Sequence, residues 1–419
     1  MQTTNFSNSI EVVSKECLDT SNSFQKKAWD AYLSRGLPKG KEEAFRYFPL
    51  HQFYQQTFSS SSSTKECNEQ AQALCDQSCT ESTLVFLNGR LFTSNVKDHF
   101  LILPMEQALK TYGSYIKRRW QQELSKEENP FSLLNFALHD GSAFIYLPPS
   151  VDGGALSIIN LVTQENSIIF PRFYCFMSKN SQCQISYRTI SHSSLQACSN
   201  SFVGIHLEEN SHLKYYSDSQ TSNSLWGFET FRAQQKRDSS LETTSLRTSG
   251  HVWREDYHLQ LLEKNSQCLL QGAWLLNNTQ QYHANVLVEH AEEQCYSKQF
   301  FKGALDGYSR SSFNGKIYVH QKAQQTDAFQ LNNNLLLSDN ANANTMPNLE
   351  IFADDVKASH GATVGQLDPE QLFYLNSRGL DLEKARALLV QGYISELIDS
   401  VSLAPLKEKW QQEVQNYLS

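Results

Sequence analysis

CLLQGAWLLNNTQQYHANVLVEH, residues 268–290, sets two short apolar stretches on either side of a small polar turn, and much of the chain is written the same way. AFIYL (143–147), LSIINLV (156–162), SIIFPRFYCFM (167–177), GKIYVH (315–320), NLLLS (334–338) and NLEIFADDV (348–356) repeat the pattern. Between about Ser142 and Ala358 almost no segment is a convincing amphipathic helix, and short strand-like runs are divided by polar turns. More than 200 residues of short strands fit a large sandwich, a pair of barrels or a solenoid. The abundant Ser, Thr, Asn and Gln could ladder between successive coils of a solenoid.

Either side of this region the pattern changes. In FQKKAWDAYLSRGLP, Phe24, Ala28, Ala31 and Tyr32 recur at helical spacing, and Gly36 with Pro38 stops the helix. The serine run Ser59–Ser63 reads as a flexible linker. LVFLNGRLFTS, from Leu84, is a hairpin around Asn88 and Gly89. Ala108, Leu109, Tyr112 and Ile116 open a helical stretch from Pro104 to about Leu138, interrupted at Pro130. Near the end, Asp368, Pro369 and Gln371 start a helix that Gly379 stops. Asp381 caps the next, whose apolar face is Leu382, Ala385, Leu389, Tyr393 and Leu397. The expected organisation is therefore a separate, mainly helical unit with one hairpin (1–141), a strand-built core (142–358) and a C-terminal helical unit (359–419).

At 419 residues the chain exceeds the size at which one compact core usually stops growing, so several domains or a repeat are expected. Hydrophobic residues at 40% and charged residues at 19% mark a globular protein. With 44 acidic against 36 basic side chains, a net charge of -8 disfavours phosphate backbones, so no nucleic-acid partner is expected. No apolar run reaches the length of a membrane span, and the N-terminus lacks a basic segment followed by an apolar one; a cytoplasmic location and no membrane association are expected. Nine cysteines then read as reduced thiols, including Cys67, Cys75 and Cys79, whose spacing lacks the second pair that zinc would need.

Motifs for common chemistries are missing. GLPKGKE, from Gly36, has one residue too few between its glycines for a P-loop and carries Glu42 where Ser or Thr would hold magnesium. His283 with His290 and His251 with His258 are seven apart, which on one strand points them to opposite faces. His206 and His212 flank an apparent turn, so all three pairs read as structural. His360 differs, because Ser359, Gly361 and Ala362 leave its imidazole uncrowded and able to meet a metal or a partner.

The text from Phe300 to Asp381, FFKGALDGYSRSSFNGKIYVH through ADDVKASHGATVGQLDPEQLFYLNSRGLD, resembles the C-terminal block of the SufB/SufD family, and its SufD branch more closely. GLPKGKEEAFRYFPL, from Gly36 to Leu50, is similar to that branch's N-terminal segment, with Phe45 where Trp is usual. The resemblance implies a mainly β fold, a right-handed parallel β-helix flanked by N- and C-terminal α-helical regions. It implies a scaffold subunit, not an enzyme, in iron-sulfur cluster assembly by the SUF system, paired with SufB and docking the SufC ATPase. It assigns His360 as a candidate ligand for iron or a transient cluster shared with SufB, with none stably bound to the isolated chain.

Two departures stand out. Ala358 replaces a cysteine found in many such sequences, and Asn332 falls where SufB carries its sulfur-accepting cysteine. This chain is therefore expected to supply an imidazole and not the acceptor thiol. Open strand edges near Asn332 to Ile351, with Asn332, Asn334, Leu336 and Glu350, are the expected dimer surface, and two copies could pair there when SufB is absent. The C-terminal apolar stripe is wider than one packing face requires, and Leu388, Leu389 and Tyr393 are the expected SufC-docking residues. Competing readings are a β-helix polysaccharide lyase or hydrolase, which would need a secretion signal and catalytic carboxylates along one face, and a SufB-like homodimeric scaffold, which would need the missing cysteine.

Overall fold

A computed structural model describes residues 4–418, apart from residues 20, 62–63, 77–79, 81, 98 and 193. Helices α1 (Asn5–Leu18), α2 (Ser23–Arg35), α3 (Leu50–Tyr54) and α4 (Lys65–Asp76) come first. Strands β1 (Ser82–Leu87), β2 (Arg90–Asn95) and β3 (Leu101–Pro104) follow, then α5 (Met105–Thr111), α6 (Gly113–Leu124) and α7 (Pro130–Leu138). The next strands are β4 (Ala143–Leu147), β5 (Asp152–Val162), β6 (Ser167–Ile169), β7 (Arg172–Met177), β8 (Gln182–Ser191) and β9 (Ala197–Leu207). They continue as β10 (His212–Gln220), β11 (Trp226–Gln235), β12 (Ser240–Arg247), β13 (Val252–Leu261), β14 (Gln267–Leu276) and β15 (Gln281–His290). The last are β16 (Tyr296–Leu305), β17 (Arg310–Val319), β18 (Thr326–Leu336), β19 (Asn342–Ile351) and β20 (Val356–Gly365), before α8 (Pro369–Ser377), α9 (Leu382–Asp399) and α10 (Ala404–Leu418).

From β7 onward, successive strands fall alternately into two sheets and each pairs in parallel with the strand two places away. One sheet runs β2-β1-β5-β8-β10-β12-β14-β16-β18-β20, and the other β3-β4-β7-β9-β11-β13-β15-β17-β19. The result is a parallel β-solenoid of about eight turns. Of the sandwich, barrel and solenoid that the strand pattern allowed, the solenoid is the one formed.

The turn chemistry explains how coils of unequal sequence stack. Asn180, Asn210, Asp238, Asn265, Gln294 and Gln325 all take positive φ, between 53° and 60°, at nearly regular intervals along the chain. Asn and Asp enter this left-handed region more readily than most residues because their side chains can bond locally. Each is followed by a small buried side chain, and the hydroxyls of Ser181, Ser211, Ser239, Ser266 and Thr326 donate to the carbonyl three residues back, at 2.6–2.9 Å. Amides also join neighbouring coils, with Asn210 Nδ2 2.8 Å from Asn180 Oδ1 and Asn265 Nδ2 2.7 Å from Asp238 Oδ1. The expected polar ladder is therefore present at the turns.

The interior is mostly aliphatic and aromatic, with one ionic layer. Arg247 lies 3.0 Å from Glu229 and 2.6 Å from Glu255, and the hydroxyls of Tyr257 and Tyr282 donate to Glu255 at 2.9 and 2.6 Å. Burial, outweighing Arg247, raises the Glu229 pKa to about 7. Two carboxylates facing one guanidinium in a dry layer favour retention of a proton.

The N-terminal helices do not form the separate unit expected from their sequence. The outer face of the second sheet carries Tyr174, Phe202, Trp226 and Phe228, and these share one core with Phe6, Phe53, Phe131 and Trp120 of the helices. Phe131 and Phe228 stack with ring centroids 4.1 Å apart. Inside this layer Asn135 of α7 donates to the carbonyls of Pro171 and Asn200. Pro130 starts α7 instead of merely interrupting a helix, because an N1 position needs no backbone N–H. The hairpin also joins the solenoid. Asn88 and Gly89, both at positive φ, form its turn, and β1 pairs in parallel with β5. Nor is the whole serine run loose, since Ser59 exchanges backbone hydrogen bonds with Asn166 and Ile168.

On the opposite flank α9 and α10 cover the first sheet, burying Val390, Ile394, Leu397, Trp410 and Val414 against Tyr216, Leu275 and Phe300. The buried face of α9 is Ala385, Val390, Ile394, Leu397 and Ile398, so the expected stripe is shifted and Leu382 is exposed. Among the described residues no helix is long and apolar enough to cross a membrane. No disulfide joins two described cysteines; Cys79 lies outside the described residues and Cys75 packs beside Val85 and Leu161.

Candidate functional site

Every inner strand of the stack has a neighbour on both sides, whereas β19 pairs with β17 and β20 with β18 and no described strand follows either. Two adjacent edges of unpaired backbone groups therefore close the stack at this end. Phe329, Leu331, Phe352 and Val364 are exposed there. β20 also carries the sheet beyond the expected boundary at 358, to Gly365, so His360 lies within a strand and not in a closing loop.

His360 is in register with Gln330 of β18, which is in register with Gln299 of β16. Parallel partners share a face, so His360 continues the inward-facing column of the solenoid at the point where the next coil is missing. Its side chain is exposed and hydrogen-bonds to no described residue. Beneath it the interior turns polar. The amides of Gln299 and Gln330 are buried without hydrogen-bond partners, as are Asn334 Oδ1 and Thr345 Oγ1.

This column also fixes where the residues of the expected dimer surface lie. Asn332 and Asn334 are on the inward face, fully buried, with Asn334 Nδ2 2.8 Å from Asn332 Oδ1. Strand alternation sends Asp327, Phe329, Leu331 and Asn333 outward instead. Leu336 is half-buried against the core, and Glu350 faces outward with its carboxylate 2.5 Å from Lys316. The surface at this end is made by the alternate residues of β18, by Phe352 and by β20.

The three expected docking residues of α9 have different positions. Leu388 is exposed and Leu389 half-buried, while the Tyr393 hydroxyl donates to the Asn333 carbonyl at 2.7 Å and its ring lies under Lys302. Tyr393 is thus engaged within its own chain, since it lies on the side of α9 that meets the sheet. The uncovered apolar side chains in this region are Phe373 and Tyr374 of α8 with Leu382 and Leu388 of α9. Exposed aromatics on α8 were readable in LDPEQLFYLNSRGL but carry no periodic signal over so short a helix.

Asp368 and Asp381 cap their helices as expected, accepting from the backbone N–H of Glu370 and Lys384. His283 and His290 do face opposite sides of β15, bonded to Ser312 and Ser297, and burial lowers their pKa values to about 3 and about 4. Burial likewise pushes the Cys175 thiol up to about 12 and the Cys268 thiol higher still. These interior groups are neutral packing residues. Among the described residues no group of three or more His, Cys, Asp or Glu is placed to hold a metal ion.

Family matches cover nearly the whole chain. Residues 160–393 match the family described as SUF system FeS cluster assembly, SufBD core domain, and residues 2–153 match the SufBD protein N-terminal region. An iron-sulfur cluster assembly SufBD family protein of Synechocystis is 29% identical over 79% of this chain and 77% of its own length. The iron-sulfur cluster assembly protein SufD of Escherichia coli is 36% identical over 41% of each chain. A chloroplastic protein of Arabidopsis thaliana, ABCI7, is 34% identical over 44% of this chain and 39% of its own.

Proposed function

This chain belongs to the SufBD family of SUF-system iron-sulfur cluster assembly proteins, and from that premise we propose that it is the SufD-type scaffold subunit. In this reading the open end of the solenoid joins SufB, His360 supplies one nitrogen ligand to iron or a nascent cluster at the junction, and the exposed residues of α8 and α9 dock the SufC ATPase in the cytoplasm. The observation that carries it is the pairing of an unpaired strand edge with an exposed, unbonded imidazole on that same edge.

A single imidazole holds iron only weakly, so ligands from a second chain are required, and a joined sheet would bring them. The iron or cluster is cargo in this scheme, and ATP hydrolysis belongs to the partner. Asn332, buried where SufB would have its acceptor cysteine, favours SufD over a SufB-like homodimer.

The test is co-expression with SufB and SufC, followed by anaerobic purification of the complex with wild-type chain or His360→Ala. The expected result is an intact complex that has lost most of its iron and acid-labile sulfide in the variant. Normal iron and sulfide content would remove His360 from the site, and recovery of this chain without either partner would overturn the scaffold reading.

A further inference from the structure

A second site lies far from the open end, between α6 and the outer face of the second sheet. Here a cavity of about 320 Å³ opens between the C-terminal half of α6, residues 125–127 and the outward side chains of β9, β11 and β13. His206 lines it and also lines an adjoining cavity of about 270 Å³ walled by Tyr112, Tyr115, Phe144, Tyr146 and Phe176. One side chain thus joins a polar recess to an aromatic one.

The charges are unequal. Each carboxylate lining the two recesses is already neutralised: Glu123 by Arg172, Glu127 by Arg232 at 2.9 Å, and Glu208 by Lys236 at 2.7 Å. Two cations of the polar recess have no such partner among the described residues. Arg119 is half-buried and bonds only to neutral groups, Gln234 Oε1 at 2.7 Å and the Tyr115 hydroxyl at 3.3 Å, and Lys126 makes no ion pair among the described residues. The recess therefore carries uncompensated positive charge in a chain whose net charge is -8.

Positioning is equally specific. Gln234 receives Arg119 and passes its own amide to Gln260 at 3.1 Å, and Gln260 bonds Glu289 at 2.7 Å, so the guanidinium is held by a fixed amide row on the sheet. The His206 ring stacks on Phe176, with centroids 4.6 Å apart and planes within 8°, and its Nδ1 is buried without a hydrogen-bond partner. Burial first, and the Arg119 charge second, lower the His206 pKa to about 3, so it offers a neutral ring face beside the cations.

We propose that this cleft binds a small oxyanion-bearing ligand with a flat unsaturated ring, its phosphate or carboxylate held by Arg119 and Lys126 and its ring seated beside His206 on the aromatic wall. A recess of this size suits a small molecule, and guanidinium and ammonium groups serve both oxyanions. The aromatic wall favours a planar ring over an aliphatic chain.

Isothermal titration of the full chain with adenosine 5′-monophosphate, inorganic phosphate and citrate tests this. Saturable binding of the nucleotide is expected, roughly tenfold weaker in Arg119→Gln and in Lys126→Gln, at unchanged melting temperature. Inorganic phosphate and citrate compared as competitors identify the preferred oxyanion, and weaker binding of both than of the nucleotide supports the ring subsite. Lys126 is exposed, so its variant reports on binding even if Arg119→Gln fails to fold. Absence of saturable binding of all three probes at about millimolar concentration, or binding unaltered by both substitutions, would overturn the proposal.

Discussion

The middle of the solenoid and its open end are built from the same coil, but their surroundings differ. Along β13 nearly every side chain is buried on both faces, because the interior takes one set and the helical layer the other. Along β20 none is fully buried; its own Val364 faces solvent, as does Phe352 beside it. A solenoid strand is thus not intrinsically a buried or an exposed element. What covers it decides, and here the chain provides its own cover on the two flanks and none on the terminal edge.

The largest effect that would sharpen this contrast is expected from Phe228→Ala in the covered middle. Phe228 is buried against Phe48, Phe53 and Phe131, and truncation should destabilise by about 3–5 kcal/mol in urea unfolding. A loss near zero would mean that the helical layer adds little to the stack.

Glu413 offers a pH-dependent test on the other flank. Burial first, then the neighbouring Asp218, raises its pKa from 4.5 to about 8, and neither carboxylate oxygen has a hydrogen-bond partner. Because the folded value is the higher one, folding is opposed increasingly as pH rises from about 4.5 towards 8. Glu413→Gln should therefore gain stability over wild type across that window, reaching about 4 kcal/mol near pH 8 and vanishing below pH 4.5. Thermal melts at several pH values would show it; parallel wild-type and variant curves would refute it.

A smaller change is expected at a turn. Asn210→Ala removes both the amide bridge to Asn180 and the residue best suited to φ 53°, for a loss of about 1 kcal/mol, while Asn210→Gly should retain the conformational part. Equal losses for the two variants would assign the whole effect to the bridge.

The smallest effect on folding belongs to the end. Phe352→Lys should alter stability of the isolated chain by no more than about 0.5 kcal/mol yet abolish, in size-exclusion runs, the association with SufB proposed above. A large folding defect there would break the contrast between covered middle and reserved end.

How much of this was readable varies with the physics involved. Strand existence was legible from short apolar runs, and helix caps Asp368 and Asp381 from residue type alone. The coil repeat was also in the text, as Asn180-Ser181, Asn210-Ser211, Asp238-Ser239, Asn265-Ser266, Gln294-Cys295 and Gln325-Thr326, but apolar periodicity does not reveal a signal carried by turns. The direction of each side chain was not legible. Asn332 and Asn334 are expected on the dimer surface as part of an open strand edge, yet strand parity points their side chains inside, a rule that needs the register before it can be applied. Tyr393 lies on the apolar face read from the sequence and packs on the sheet, whereas its docking partner rests on the family resemblance alone. The cleft beside α6 could not be inferred at all, because Arg119, His206, Gln234 and Gln260 are distant in sequence.

A stack whose coils touch only their neighbours frays from whichever end is open. Backbone amides of Val356–Gly365 should then exchange with solvent sooner than those of β13, and a bound partner would slow them. Under the pairing proposed above, an unpartnered copy would keep a loosened strand on display, open to proteases and to pairing with the wrong chain, and a partnered copy would not.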